Sequence, residues 1–285
     1  MKHATLSLVL IFVLMSIFSS KVFSMVCFED VTVLKASRFY KKQNFCFDPQ
    51  SGKVVAYEKG RKFSRKKLSH KTIVPGFIDL QINGGWGKDF VQSPEAVLEV
   101  AYKLPRYGVT SFAPTLVSSK AAVYKGFLQE LKKFRALPQK GARILKAHLE
   151  GPFLTQAGVH DPEVLHREKN ISAKHLEKRY GPLSELALVT LAPEYFGVEQ
   201  VIEYLRERGI VVSIGHSKGD YSSAKKALEA GATMFTHLFN AMSPLHHRKL
   251  GLPLAALLTE PSKDHPFYSI IADGFHVAPE MIDLA

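Results

Sequence analysis

The hydrophobic pattern changes period near Pro75. Before it, "VTVLKASRFY", "NFCFD" and "KVVAYEKG" are short β-type stretches separated by turn signals such as "DPQSG". That pattern predicts a meander with too little core to stand alone. After it, strand-like and helix-like segments alternate. The strands are "FIDLQIN", "VTSFAPTL", "ARILKAHLE", "LALVTLAPE", "IVVSIGHS", "ATMFTHLFN" and "YSIIADGFH". Between them lie amphipathic helices: "PEAVLEVAYKL", "AAVYKGFLQELKKF", "VEQVIEYLRERG" (apolar at 198, 201, 202 and 205) and "YSSAKKALEAG". Seven strands in β/α succession, with no Gly-x-Gly-x-x-Gly after the first, favour a (β/α) barrel over a dinucleotide-binding sheet.

In such barrels the chemistry sits at the C-terminal ends of the strands. Here the third strand ends in Glu150, the fifth in His216, the sixth in His237, and the seventh in Asp273 and His276. A lone histidine at a strand end is ordinarily structural. Ligand-type side chains at three strand ends of one barrel are different, because the fold gathers them although they are far apart in sequence. One glutamate and two histidines leave a fourth position open for water, as in a catalytic metal site. One divalent metal ion is therefore expected, zinc first, with iron, manganese and cobalt also suited to these donors. It would lower the pKa of bound water to about 7. Hydrolysis follows.

Charge adds little to this picture. The chain has 285 residues and a formal net charge of +12, partly from "KGRKFSRKK" (59–67), where Phe63 is the only aromatic residue. A solvated basic loop is the expectation there, and nucleic acid is not an expected partner. The overall positive field favours an anionic small substrate.

Residues 1–24 have the layout of a signal peptide, with Lys2 and His3 before "LSLVLIFVLMSIF" and small residues near Ser24. The run is too short and too serine-interrupted for a membrane span. Met25 follows at once, so a start-site extension reads equally well. Cys27 and Cys46 could pair if the chain is exported, but two thiols are no disulfide framework, and buried free thiols are expected.

The segments "PGFIDLQINGG", "GVTSFAPTLVSS", "HLEGPF", "LVTLAPE", "GHS", "THLFNAM", "HHRKLG" and "IADGFHV" occur in this order. Together they closely resemble the N-acetylglucosamine-6-phosphate deacetylases of the amidohydrolase superfamily, especially the animal type, from about residue 70 to the end. The resemblance implies a (β/α)8-type TIM barrel lacking its last strand, with a small N-terminal β-sandwich part. The implied divisions are a leader at 1–24, a small β domain at 25–74 and a barrel hydrolase domain at 75–285.

It also implies roles. Glu150, His216 and His237 would hold the metal while water attacks the acetamide carbonyl. His160 would contact the sugar, although "QAGVH" lacks the basic pair that usually precedes this histidine. Asn240 and Ala241 would approach the sugar phosphate, with Arg248 and His276 adding charge; an arginine fork suits phosphate. A phosphate contact crosses between subunits in this family, which implies a homodimer. Gln81 and Asn83 stand where amidohydrolases at large carry His-x-His. Amides are poorer ligands than imidazole, so one metal is expected, with both amides hydrogen-bonding around its pocket.

The family's general base is an aspartate on the next strand, beyond "DGFHV", and the sequence stops at Ala285. Asp273 is at most a weak substitute. Because a positioned acid–base group contributes roughly 10²–10⁴-fold in rate, weakened hydrolysis is expected. Two open sheet edges and marginal stability are expected as well. The readings are thus deacetylation of N-acetylglucosamine 6-phosphate in amino-sugar catabolism, or a non-catalytic sugar-phosphate-binding or regulatory version of the same enzyme. A different amidohydrolase reaction is the weakest. A phosphorylated sugar is kept inside cells, so a cytoplasmic location is expected, with secretion as the minority reading.

Overall fold

The computed structural model describes residues 25–58, 63–258 and 266–285; the leader at 1–24 lies outside the described residues. The chain divides into two compact units, Met1–Pro75 and Gly76–Ala285. Among the described residues, no helix is long and apolar enough to cross a membrane.

The first unit holds β1 (Met25–Lys35), β2 (Arg38–Phe47), β3 (Val54–Val55), β4 (Phe63–Lys67) and β5 (Thr72–Ile73). They make one five-stranded sheet in the order β3-β2-β1-β4, with β5 also on β1. The second face of a sandwich is not among the described residues. "VTVLKASRFY" proves to be two strands: Lys35 pairs with Arg38 across a turn whose central residues, Ala36 and Ser37, both have positive φ. Two-residue hairpins of this twist normally use Asn or Gly, which is why the turn was invisible in the sequence. "KGRKFSRKK" divides too, because 63–67 is strand β4, paired in parallel with β1.

The expectation of free thiols is also corrected. Cys27 and Cys46 face each other across the β1–β2 ladder and form a disulfide. Both are fully buried. Cross-strand register puts the two side chains face to face.

The second unit begins with β6 (Phe77–Ile82) and a small hairpin of β7 (Gly84–Gly85) and β8 (Lys88–Asp89). Then come β9 (Val109–Leu116), β10 (Arg143–Ile144), β11 (Ala147–Glu150), β12 (Leu186–Leu191), β13 (Val211–Ile214), β14 (Met234–Phe235) and β15 (Phe267–Tyr268). All pairings except the hairpin's are parallel. β6 joins β9, β9 joins both β10 and β11, and the order then runs β11-β12-β13-β14-β15. The result is a curled parallel half-barrel whose spatial order follows the chain.

Helices cover it. Ala96–Lys103, Ala121–Ala136, Val198–Glu207 and Tyr221–Glu229 lie where the periodicity predicts them. Val198, Val201, Ile202 and Leu205 are the buried stripe of Val198–Glu207, each burial contributing about 1.5–3 kcal/mol. Ala173–Tyr180 and the short helices Leu252–Leu257 and Pro279–Leu284 were not legible from periodicity. β11 is buried at every position and β12 at all but one, as expected of parallel strands covered on both faces.

The seventh strand is shorter than "YSIIADGFH" predicts. Among the described residues its ladder consists of Phe267 and Tyr268, paired with β14. Among the described residues, β6 pairs only with β9. A cavity of about 1000 Å³ lies between these two edges, lined by Phe77, Ile78, Leu80, Met234, Phe267 and Ile271 among others. Phe77 and Phe267 are 67% and 76% exposed. The seam is open and apolar.

Candidate metal centre

Parallel register carries the site. Ile214 is paired with Phe235, so His216 and His237, each two residues further on, leave their strands at the same level. Glu150 ends β11, one strand beyond β12, where it is paired with Thr190. Both histidines turn out of their strands with positive φ, +48° and +35°. Such backbone costs roughly 1–3 kcal/mol per residue and persists where the surroundings over-determine it.

The donor atoms converge. His216 Nε2 and His237 Nε2 lie 3.2 and 3.1 Å from Glu150 Oε1 and 2.9 Å from each other. All three side chains are buried. The opposite ring nitrogens face backbone carbonyls: His216 Nδ1 is 2.9 Å from the Gln156 oxygen and His237 Nδ1 is 3.1 Å from that of Asn240. A carbonyl only accepts, so each Nδ1 carries the proton and each Nε2 of a neutral ring presents a lone pair. Two lone pairs and a carboxylate oxygen thus meet at one point, an arrangement that a cation satisfies. The residues fit a divalent metal ion of the zinc class.

The surroundings keep Glu150 charged. Burial raises its pKa, and His216 and His237, when a facing Nε2 carries a proton, outweigh that and hold it well below the usual carboxylate range; a bound cation would take the proton's place. Gln81 Nε2 donates to Glu150 Oε1 at 2.9 Å. Asn83 does not reach the carboxylate; its amide bonds the Thr115 carbonyl at 3.4 Å, tying β6 to β9. His160 is buried against His216, ring centroids 4.4 Å apart. Its Nδ1 accepts the Ser118 N–H at 3.0 Å, which puts the proton of the neutral ring on Nε2. That Nε2 is buried without a hydrogen-bond partner, 3.8 Å from Glu150 Oε2. Burial lowers the pKa of His160 to about 4, so the ring is a neutral donor aimed at the centre.

No family model matches the chain. Individual proteins do. It is 43% identical over 242 residues to the N-acetylglucosamine-6-phosphate deacetylase of Danio rerio, covering 82% of this chain and 59% of the relative. The human enzyme of the same name is 42% identical over 230 residues, 78% of this chain and 56% of the relative. The fold agrees: a Mycobacterium smegmatis N-acetyl-D-glucosamine-6-phosphate deacetylase, solved as an aspartate-to-alanine mutant with N-acetyl-D-glucosamine-6-phosphate, matches with a TM-score of 0.76 at 28% identity. That match covers 91% of this chain and 66% of the solved one. Over most of its own length the chain is homologous to proteins named N-acetylglucosamine-6-phosphate deacetylase. It spans 59% and 56% of the length of these two curated relatives.

The remaining residues suggested by the deacetylase resemblance are spread more widely. Asn240 and Ala241 sit on the turn after His237, and the Ala241 carbonyl accepts the Ser217 N–H at 3.0 Å, beside His216. Gly158, at φ +58°, closes over the same ring; a Cβ there would stand 3.0 Å from His216 Cε1. Arg248 is exposed and lines a separate cavity of about 1010 Å³ with Lys218, His246 and Lys249. Asp273 and His276 are exposed and engage each other, Nδ1 to Oδ2 at 2.6 Å. Hydrogen bonds from the His276 and Phe275 amides and from the His276 ring depress the Asp273 pKa to about 2.

Sequence reasoning missed the polar layer beneath the candidate metal centre. His148, buried on the same face of β11 as Glu150, meets the Leu80 carbonyl at 3.1 Å and Thr190 Oγ1 at 2.8 Å. Thr190, Thr236 and Ser213 continue the chain at 2.7 and 2.6 Å. Burial lowers the His148 pKa to about 4. The signal was there, since i and i+2 share a strand face. Glu194, after β12, was also missed. A second group, His166, Glu168 and His175, brings ligand-type atoms together, but Lys178 and Arg179 line the same small cavity and oppose a cation.

Proposed function

We propose that this chain carries the metal-dependent deacetylase site of its family, acting on N-acetylglucosamine 6-phosphate to give glucosamine 6-phosphate and acetate. The observation that supports it is the convergence of Glu150 Oε1, His216 Nε2 and His237 Nε2 as three lone-pair donors. Glu150, His216 and His237 would hold a divalent ion, zinc by preference, which would supply Lewis-acid activation of the acetamide carbonyl and of water near neutral pH. Gln81 orients Glu150 and takes no coordination position, which favours a single metal. His160 offers its free Nε2–H to the bound sugar. Asn240 and Ala241 approach the phosphate, with Arg248 and His276 supplying positive charge within a homodimer. The half-barrel is part of a (β/α)8 barrel, and residues 25–74 and 75–285 are its small β domain and hydrolase domain.

The test is acetate release from N-acetylglucosamine 6-phosphate by the zinc-loaded chain beside Glu150→Ala. Release that depends on Glu150 supports the reading. A folded, metal-bearing chain that binds the sugar phosphate without turnover establishes the second reading, a binding or regulatory version. Asp273, an exposed carboxylate with a pKa of about 2, is a poor candidate for the general base.

A cytoplasmic location suits a phosphorylated substrate. The Cys27–Cys46 disulfide is the observation that favours the secreted alternative. Cell fractionation with thiol labelling of Cys27 distinguishes the two.

A further inference from the structure

We infer that Glu194 is a positioning residue, fixing the backbone turn and ring orientation of His216 by gathering Thr155, Ser217 and Lys218 onto one carboxylate. The inference rests on the reading of His216 as a metal ligand.

Glu194 follows β12, three residues after Leu191, and is only partly buried. Its Oε1 accepts the Lys218 N–H at 2.8 Å and the Thr155 hydroxyl; its Oε2 accepts the Ser217 hydroxyl at 2.6 Å. The Lys218 N–H also reaches Thr155 Oγ1 at 3.0 Å. Three donors from two loops therefore share one acceptor group. None of them is a proposed ligand, and each lies beside one or beside the group that orients one.

The first loop is the turn of His216. With φ at +48°, this residue adopts backbone that an L-residue avoids unless neighbouring contacts enforce it. Ser217 and Lys218, the next two residues, are pinned by Glu194. Gly219 closes the turn, its N–H donating to Ser217 Oγ at 2.9 Å; a Cβ on it would stand 2.9 Å from Glu194 Oε2. The second loop is 155–156. Thr155 and Gln156 donate their N–H groups to the His216 carbonyl at 3.0 and 2.9 Å, and the Gln156 carbonyl faces His216 Nδ1. Gln156 thereby sets the tautomer that leaves Nε2 free for a metal. Glu194 holds both halves of this clasp. Neutralising or removing it releases the ring's orientation without touching the donor atoms.

The experiment titrates the full chain with Co²⁺, whose visible absorption reports ligand geometry, and compares the parent with Glu194→Ala, Glu194→Gln and a surface control, Glu163→Ala. Removing a group that orients a ligand typically costs about 10–100-fold in metal affinity. That loss, with an altered cobalt spectrum, is expected for Glu194→Ala. Glutamine keeps one carbonyl oxygen but turns an amide N–H₂ towards the other donors, so a smaller loss is expected. A folded Glu194→Ala chain with the parent's cobalt affinity and spectrum overturns the inference.

Histidine ¹H–¹⁵N spectra of the metal-free chains give a second readout. The His216 Nδ1–H is expected to be slow to exchange in the parent and fast in Glu194→Ala, and equal exchange overturns the inference. If the parent takes up no cobalt, the metal reading fails and the spectra still decide the role of Glu194. If Glu194→Ala does not fold, Thr155→Val and Ser217→Ala each remove one donor. Each is expected to weaken cobalt binding by roughly 2–10-fold; parental behaviour in both overturns the inference.

Discussion

His216 and His237 stand with their Nε2 atoms 2.9 Å apart, and each ring's Nδ1 faces a backbone carbonyl. Two neutral rings so held cannot hydrogen-bond to each other, because neither has a proton to offer. A bound cation is therefore expected to stabilise the fold. At free zinc 100 times the dissociation constant, the gain is about 2.7 kcal/mol, visible as a raised thermal transition that a chelator reverses. Glu150→Ala is expected to abolish the shift. A transition unmoved by zinc in the parent argues against the centre.

Asp273 tests the limits of catalysis. Its depressed pKa means that its stabilising contacts are present above the unfolded value of 3.8 and are lost as pH falls through about 2. As a base it is already deprotonated at every working pH. Any acid limb in acetate release above pH 4 therefore belongs to another group. Asp273→Asn is expected to leave the position of that limb unchanged in a pH–rate profile. A limb that disappears in Asp273→Asn would make this residue the base after all.

The seam between β6 and β15 predicts self-association. Among the described residues each edge pairs on one side only, and Phe77, Ile78 and Phe267 are exposed beside it. Unpaired apolar edges recruit other strands, and an edge lysine opposes this. Ile78→Lys is expected to shift light-scattering mass towards the monomer. Its exposed position predicts a stability change within about 0.5 kcal/mol. Unchanged mass across a concentration series would show the seam to be inert.

The disulfide predicts a redox-sensitive first unit. Cys27 and Cys46 are 19 residues apart, and closing a loop of that order contributes about 3 kcal/mol in the chain-entropy model. Reduction, or the double change Cys27→Ser with Cys46→Ser, is expected to lower the unit's denaturant midpoint accordingly. Equal midpoints with and without reductant would contradict it.

Local pattern was enough for much of the second unit. Alternating periods placed its strands and four of its helices, because a buried stripe such as Val198, Val201, Ile202 and Leu205 is written directly into residue spacing. Short elements were less legible. Leu252–Leu257 is too brief to show a period, and the Ala36–Ser37 turn uses residues that carry no turn signal.

The sequence by itself determined the order of strands, the candidate ligands at their ends and the resemblance to the deacetylases, since each depends on neighbours along the chain. Only the tertiary structure decided which of those polar groups meet. It brought Glu150, His216 and His237 within hydrogen-bonding distance, left Asp273 and His276 exposed and paired with each other, joined Cys27 to Cys46, and placed Glu194 behind His216. Register between parallel strands and the path of the loops fix those distances, and neither is encoded in any one segment.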